Sequence, residues 1–221
     1  TQGLDIYAQK GQWDELFDVC DKSAPEQGPR YATIYATQLV EDGNRLDQAI
    51  QVLGRFGADP AEEHLTLYKR IIKDFLGRTQ QQLNKATATQ SPAILAEALR
   101  TMLYKLVNDM KSSPGGRSNR GGGGKYNDEE SKSSGHLPWF EKALMTVHYV
   151  VMRDRFTEWK MTDNATQTSV SLLRFCDVIP PDKAFYLAGM ACRNNKEYES
   201  MAFVLLNHYL DISEAIEEGD A

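Results

Sequence analysis

Four histidines and three cysteines offer this chain most of its possible chemistry, and their spacing withholds it. His64, His136, His148 and His208 form no His-Glu-x-x-His frame, and no cysteine pair stands at zinc spacing. No metal or cofactor site is therefore expected. Cys20, Cys176 and Cys192 lie far apart, each within an apolar helical pattern, and read as reduced, buried thiols. A Cys-His nucleophile needs partners that meet in space, but nothing flanking these cysteines has an activating character. No catalytic residue is assigned, and the expected protein is not an enzyme.

Glycines before a lysine, at Asn119–Tyr126, invite a phosphate-loop reading. That loop needs Gly at its first position and Ser or Thr after the lysine, where Asn119 and Tyr126 stand instead. Arg117–Lys125 has an RGG-like look, but two arginines in a chain of net charge −6 attract phosphate weakly. A solvated linker is the plainer reading. Neither nucleic acid nor a small-molecule substrate is expected. No apolar run reaches the ~18 residues of a membrane span, so no direct membrane insertion is expected either. The opening residues carry no signal-peptide pattern, and a start at Thr1 is what a cut piece of a longer protein would show.

Chemistry being scarce, the elements themselves become the subject. Hydrophobic period gives helices almost throughout the 221 residues, enough for about five or six helix pairs of a repeat array with period ~34–45. The first pair is read as Gln2–Lys10 and Gln12–Ser23, closed by Pro25 and Gly28-Pro29. A second carries Tyr31, Ile34, Tyr35 and Leu39, ends at Gly43, and continues through Leu46, Ala49, Ile50 and Leu53. A third covers about Ala61–Leu76, and Ser91-Pro92 opens a helix whose core face is Ile94, Leu95, Ala98, Met102, Leu103 and Leu106.

Residues 112–136 are rich in Gly and Ser and lack any apolar period; they read as a flexible loop within one α-solenoid segment spanning 1–221. Leu137-Pro138-Trp139-Phe140 resumes a helix. After a polar gap at Thr162–Asn164, a helix carries Val170, Leu172, Leu173, Cys176 and Ile179, stopped by Pro180-Pro181 with Asp182 capping the next. The last pair sets Ala184, Ala188 and Ala191 against Tyr198, Met201, Ala202, Leu205, Leu206, Tyr209 and Leu210. With no two-residue alternation anywhere, the fold class is all-α: a solenoid of degenerate helix pairs, with Gly11, Trp13, Gly43, Gly189 and Tyr198 as repeat-packing positions. Trp13 reads as core, whereas Trp159, among Arg155, Glu158 and Lys160, reads as an exposed candidate anchor.

The helical pattern resembles the tetratricopeptide class in degenerate form. A closer likeness rests on Gly3-Leu4-Asp5-Ile6-Tyr7 with Gly11-Gln12-Trp13, Val170-Ser171-Leu172-Leu173-Arg174, Asp182-Lys183-Ala184-Phe185-Tyr186 with Ala188-Gly189, and Met201-Ala202-Phe203 with Leu206-Asn207 and Leu210-Asp211. Tyr31–Leu39, Tyr68-Lys69-Arg70-Ile71 and the ending Ala215–Gly219 fit as well. These segments resemble the C-terminal helical region of the intraflagellar transport protein 172 family. The likeness spans nearly the whole chain except Ser112–Gly135, which receives no family role. It implies a non-enzymatic scaffold in the B complex of ciliary transport trains, serving cilium assembly and tip remodelling. It also implies other intraflagellar transport subunits as partners, and the cilium or flagellum and basal body, on the cytoplasmic side, as location. The competing reading is a peptide-binding adaptor of the cochaperone sort, which would draw on Arg30, Lys69, Arg70, Arg193 and Asn195 to hold a carboxylate.

Overall fold

A computed structural model describes residues 2–43, 45–78, 91–112 and 135–219. Its helices are α1 Gln2–Gln9, α2 Trp13–Ser23, α3 Gly28–Gly43, α4 Leu46–Phe56, α5 Leu65–Leu76, α6 Pro92–Ser112, α7 His136–Glu158, α8 Thr162–Ser171, α9 Pro181–Arg193 and α10 Glu199–Gly219. Among the described residues there is no strand, and no helix is long and apolar enough to cross a membrane. The fold is all-α, with helices packed on their sequence neighbours as in an α-solenoid. Two compact units emerge: residues 1–71 with 97–137, and residues 72–96 with 138–221. Of the expected loop at 112–136, Ser112 closes α6 and His136 begins α7. Residues 113–134 lie outside the described residues, and with them the phosphate-loop and RGG readings.

The α1–α2 junction shows how the chain reverses. Gly11 takes φ +70, Gln12 N–H donates to Tyr7 O at 3.0 Å, and Gly11 N–H to Ala8 O at 3.1 Å. This paired motif satisfies carbonyls that the end of α1 would leave bare, and its left-handed residue favours glycine. The same pair of bonds ends α7: Met161 N–H reaches Phe156 O at 2.9 Å and Lys160 N–H reaches Thr157 O at 3.1 Å. There a lysine, Lys160, holds φ 57. The residue preceding the second helix also repeats its backbone, at φ −86, ψ 67 for Gln12, φ −80, ψ 58 for Arg45 and φ −86, ψ 72 for Met161. One turn geometry thus recurs at two helix pairs whose sequences share little, while at α3–α4 Arg45 N–H reaches back six residues to Leu39 O at 2.9 Å.

In the first unit, Leu16, Tyr31, Leu39, Ile50, Leu53, Tyr68, Met102 and Leu106 are among the fully buried side chains. Each such aliphatic or aromatic group contributes about 1.5–3 kcal/mol relative to exposure. A polar knot ties α3, α5 and the segment after α4 together. Thr33 Oγ1 donates to Pro29 O at 2.8 Å, accepts from Asp59 N–H at 3.0 Å, and lies 2.7 Å from the Tyr68 hydroxyl. Tyr68's proton also has Asp59 O within 3.0 Å, so every buried polar atom of the knot has a partner. Burial drives the Tyr68 phenol well above its ordinary range. On α3, the Tyr31 hydroxyl donates to Asp5 Oδ1 of α1 at 2.7 Å; burial first, then that carboxylate, push its pKa up to about 12.

Several expected boundaries move. Gly28-Pro29 opens α3 rather than closing α2, because proline at a helix start loses no bond. Pro180-Pro181 likewise opens α9, with Asp182 in its first turn instead of at its cap. Glu62–His64 forms a 3-10 turn ahead of α5. Ile94 is 52% exposed, while Leu95, Met102, Leu103 and Leu106 of the expected stripe are buried together with Leu99, so the core face of α6 follows that stripe except at Ile94.

In the second unit the polar stretch at Thr162–Asn164 is the first turn of α8. The buried face of α8 is Ala165, Thr166, Thr168 and Ser169. Their hydroxyls bond back one turn, Thr166 to Thr162 O at 2.9 Å, Thr168 to Asn164 O at 2.6 Å and Ser169 to Ala165 O at 2.7 Å. Small side chains whose polar atoms are satisfied within the helix can be buried without penalty, and they leave no hydrophobic period to read. Further along, Lys183 Nζ donates to Arg78 O at 2.6 Å just beyond α5, and Lys142 pairs with Asp177 at 2.7 Å. That hydrogen bond holds the Asp177 carboxyl below the usual range.

Candidate interaction surface

The residues with reactive potential are mostly shielded by the fold. Cys20 and Cys192 are buried and Cys176 half-buried, all free; burial raises each thiol, with Asp21 adding to the effect at Cys20 and Asp177 at Cys176. A raised thiol pKa is the reverse of what a nucleophile needs. His64 lies 3.3 Å from Glu63, and His208 packs on Phe185 at 5.6 Å. Among the described residues no three His, Cys, Asp or Glu gather as a metal group.

What the structure does present is surface. In the first unit α2, α3 and α4 frame a groove of about 390 Å³. Its floor is a run of rings, in which Tyr35 meets Phe17 at 6.0 Å and Phe17 stacks on Phe56 at 4.3 Å, while Trp13, outside the lining, stacks on Tyr35 at 4.6 Å. Asp14 and Asp18 stand on the rim, one turn apart on α2. Like charges at that spacing cost an isolated helix about 0.2–0.5 kcal/mol. At the far end, Arg55 lies over the Phe56 ring at 4.8 Å and is hydrogen-bonded to Asp21.

The second unit exposes apolar groups on α10: Met201 (43%), Phe203 (73%), Val204 (52%), Leu210 (53%) and Ile216 (47%). Only Ala202 and Leu205 of that helix are buried, where they join Ala188 and Cys192 of α9. The unbroken apolar pattern read over Tyr198–Leu210 is therefore half core and half outer face. Trp159 is 60% exposed at the end of α7, edge-on to Phe156 at 6.2 Å. A groove of about 760 Å³ between α7, α8 and α9 is lined by Lys160, Thr157, Tyr186 and Asn194.

The repeat-packing positions occupy unlike places. Gly11 sits in a turn and Trp13 is the buried first residue of α2; Gly43 is the last residue of α3. Gly189 lies inside α9, where a Cβ would come within 2.7 Å of Leu206 Cδ2 of α10. Gly11 and Gly189 are thus not equivalent steps of a repeat. Tyr198 ends the 3-10 turn Lys196–Tyr198, and α10 begins after it. Sequence reading passed over Gly54, whose Cβ would meet Ala98 Cβ at 2.8 Å and Ala98 O at 2.9 Å. Its position on the buried face of α4, between Ile50 and Leu53 and the helix end, was the available signal.

Two of the polar groups that a carboxylate-holding adaptor would draw on are engaged within their own units. Asn195 is buried, donating to Asp163 at 2.8 Å and accepting from Glu197 N–H at 3.2 Å. Arg30 lies 3.9 Å from Asp5 and over the Tyr31 ring at 5.4 Å.

No family model matches the chain. Related proteins do. Intraflagellar transport protein 172 homolog of Mus musculus is 34% identical over 217 residues, covering 98% of this chain, and its counterpart in Drosophila melanogaster is 32% identical over 220 residues, covering 99%. Intraflagellar transport protein 172 of Chlamydomonas reinhardtii is 29% identical over 221 residues, the whole of this chain. The chain spans 11% of the length of each of these relatives. Over its whole length, therefore, it is related to one region of the intraflagellar transport protein 172 family.

Proposed function

We propose that this chain is a non-enzymatic scaffold segment of the B complex of intraflagellar transport, holding neighbouring subunits of ciliary trains and serving cilium assembly and tip remodelling. The observation that carries the reading is the end-to-end likeness to proteins named for intraflagellar transport, in animals and in a green alga. Physical support comes from the helix-pair packing, which leaves long outer faces, and from the exposed rings and aliphatic groups on α7 and α10. The partners are other intraflagellar transport subunits, met in the cilium or flagellum and at the basal body, on the cytoplasmic side. The work is done by surface contact, with no bond made or broken.

The test is capture. The purified chain, immobilised and exposed to an extract of isolated cilia, retains identified train subunits above the level of an unrelated helical protein. If the full-length relative retains them and this chain retains none, binding lies elsewhere in the protein and the proposal fails.

A further inference from the structure

We propose that the groove of the first unit is a docking site for a basic segment of a partner polypeptide, taking a lysine or arginine side chain between its ring floor and the Asp14–Asp18 rim. The inference rests on the scaffold reading and names the chemistry of one partner.

One half of the site is already filled by the chain itself. Arg55 places its guanidinium over the Phe56 ring and hydrogen-bonds to Asp21. A ring below and a carboxylate beside it are the two groups that hold a cation with a long apolar stem. The same two groups recur up α2, where Asp14, Asp18 and Asp21 share a face at spacings of four and three residues. Tyr35 and Phe17 supply the rings there, yet among the described residues neither Asp14 nor Asp18 has a cation. Both rim carboxylates belong to exposed residues, so an incoming cation reaches them without opening the fold. The floor is rigid: Phe17 is buried and wedged between Tyr35 and Phe56, which cuts the ordering cost of binding. Gln48 and Gln51 of α4 line the opposite wall with amides able to bond a peptide backbone. An acidic partner is disfavoured here by the two uncompensated charges.

The probe is a fluorescein-labelled peptide of alternating arginine and leucine, titrated against the whole chain and followed by anisotropy. Asp14→Asn with Asp18→Asn keeps the shape of the rim and removes its charge; binding weakens by about tenfold or more and loses most of its salt dependence. Glu214→Gln with Glu217→Gln on α10 removes the same charge elsewhere and leaves binding unchanged. Tyr35→Leu weakens binding at retained helicity. The proposal is overturned if the unaltered chain ignores the peptide, if the rim variant binds as well as the parent, or if the α10 variant loses as much. A chain that ignores the peptide but still captures train subunits sinks this inference alone; one that captures no subunit sinks the scaffold reading.

Discussion

Helices α4 and α8 are nearly equal in length and both pack on their sequence neighbours, yet they do so with opposite materials. α4 buries Leu46, Ala49, Ile50 and Leu53; α8 buries Ala165, Thr166, Thr168 and Ser169. The first gains its stability from apolar area, so its face is written in the sequence as a period. The second gains close approach, its hydroxyls returned to the preceding turn, and shows no period at all. A helical array can thus alternate greasy and small-polar seams while keeping one backbone plan.

That contrast predicts an order of sensitivity. Leu53→Ala in α4 opens a cavity at a fully buried site and costs about 2–5 kcal/mol, read as a drop in denaturant midpoint by circular dichroism. Tyr68→Phe strands a bonding group of the Thr33–Asp59 knot and costs about 1–3 kcal/mol by the same measurement. Gly54→Ala costs about 1–3 kcal/mol, since its Cβ would strike the backbone of α6. Gly189→Ala costs less than Gly54→Ala, because the atoms it meets first, Cδ2 and Cγ, belong to the Leu206 side chain, with the backbone farther off at 3.3 Å. Ser169→Ala in α8 stays within about 0.5 kcal/mol of the parent, since the hydroxyl is a second donor to a carbonyl inside the helical ladder and alanine is the better helix former. Equal losses for Leu53→Ala and Ser169→Ala would break the contrast.

Acidity and alkalinity sharpen it further. Tyr31 has its pKa raised in the fold to about 12, so its share of stability is present below pH 10 and drains away as pH rises from 10 towards 12. Tyr31→Phe should flatten that part of an alkaline denaturation curve. Asp177, its pKa lowered by Lys142, works in the opposite sense: its contribution is present above the ordinary carboxylate range and is lost as pH falls through the folded value. As an exposed pair, it is worth only about 0.2–1 kcal/mol, and Lys142→Met should remove that acid dependence.

The all-α class was legible because leucine, isoleucine and aromatic residues repeat at helical spacing through α2, α4, α5 and α7. Trp159 was legible as exposed from its charged neighbours. The prolines misled at two places, since Pro29 and Pro181 fit the first turn of a helix as well as they end one. The turn shared by Gly11 and Lys160 was invisible for a different reason. Its identity lies in backbone angles, which glycine favours and lysine can still adopt. The ring-floored groove escaped notice because Phe17, Tyr35 and Phe56 come from three helices, and no linear spacing reveals that they meet.

Crosslinking mass spectrometry of intact trains carrying this protein tests the scaffold account most directly. Links from the lysines near α2, α7 and α10 to other train subunits are the predicted outcome. A map with links only inside the protein itself, while neighbouring subunits link freely to one another, would contradict it.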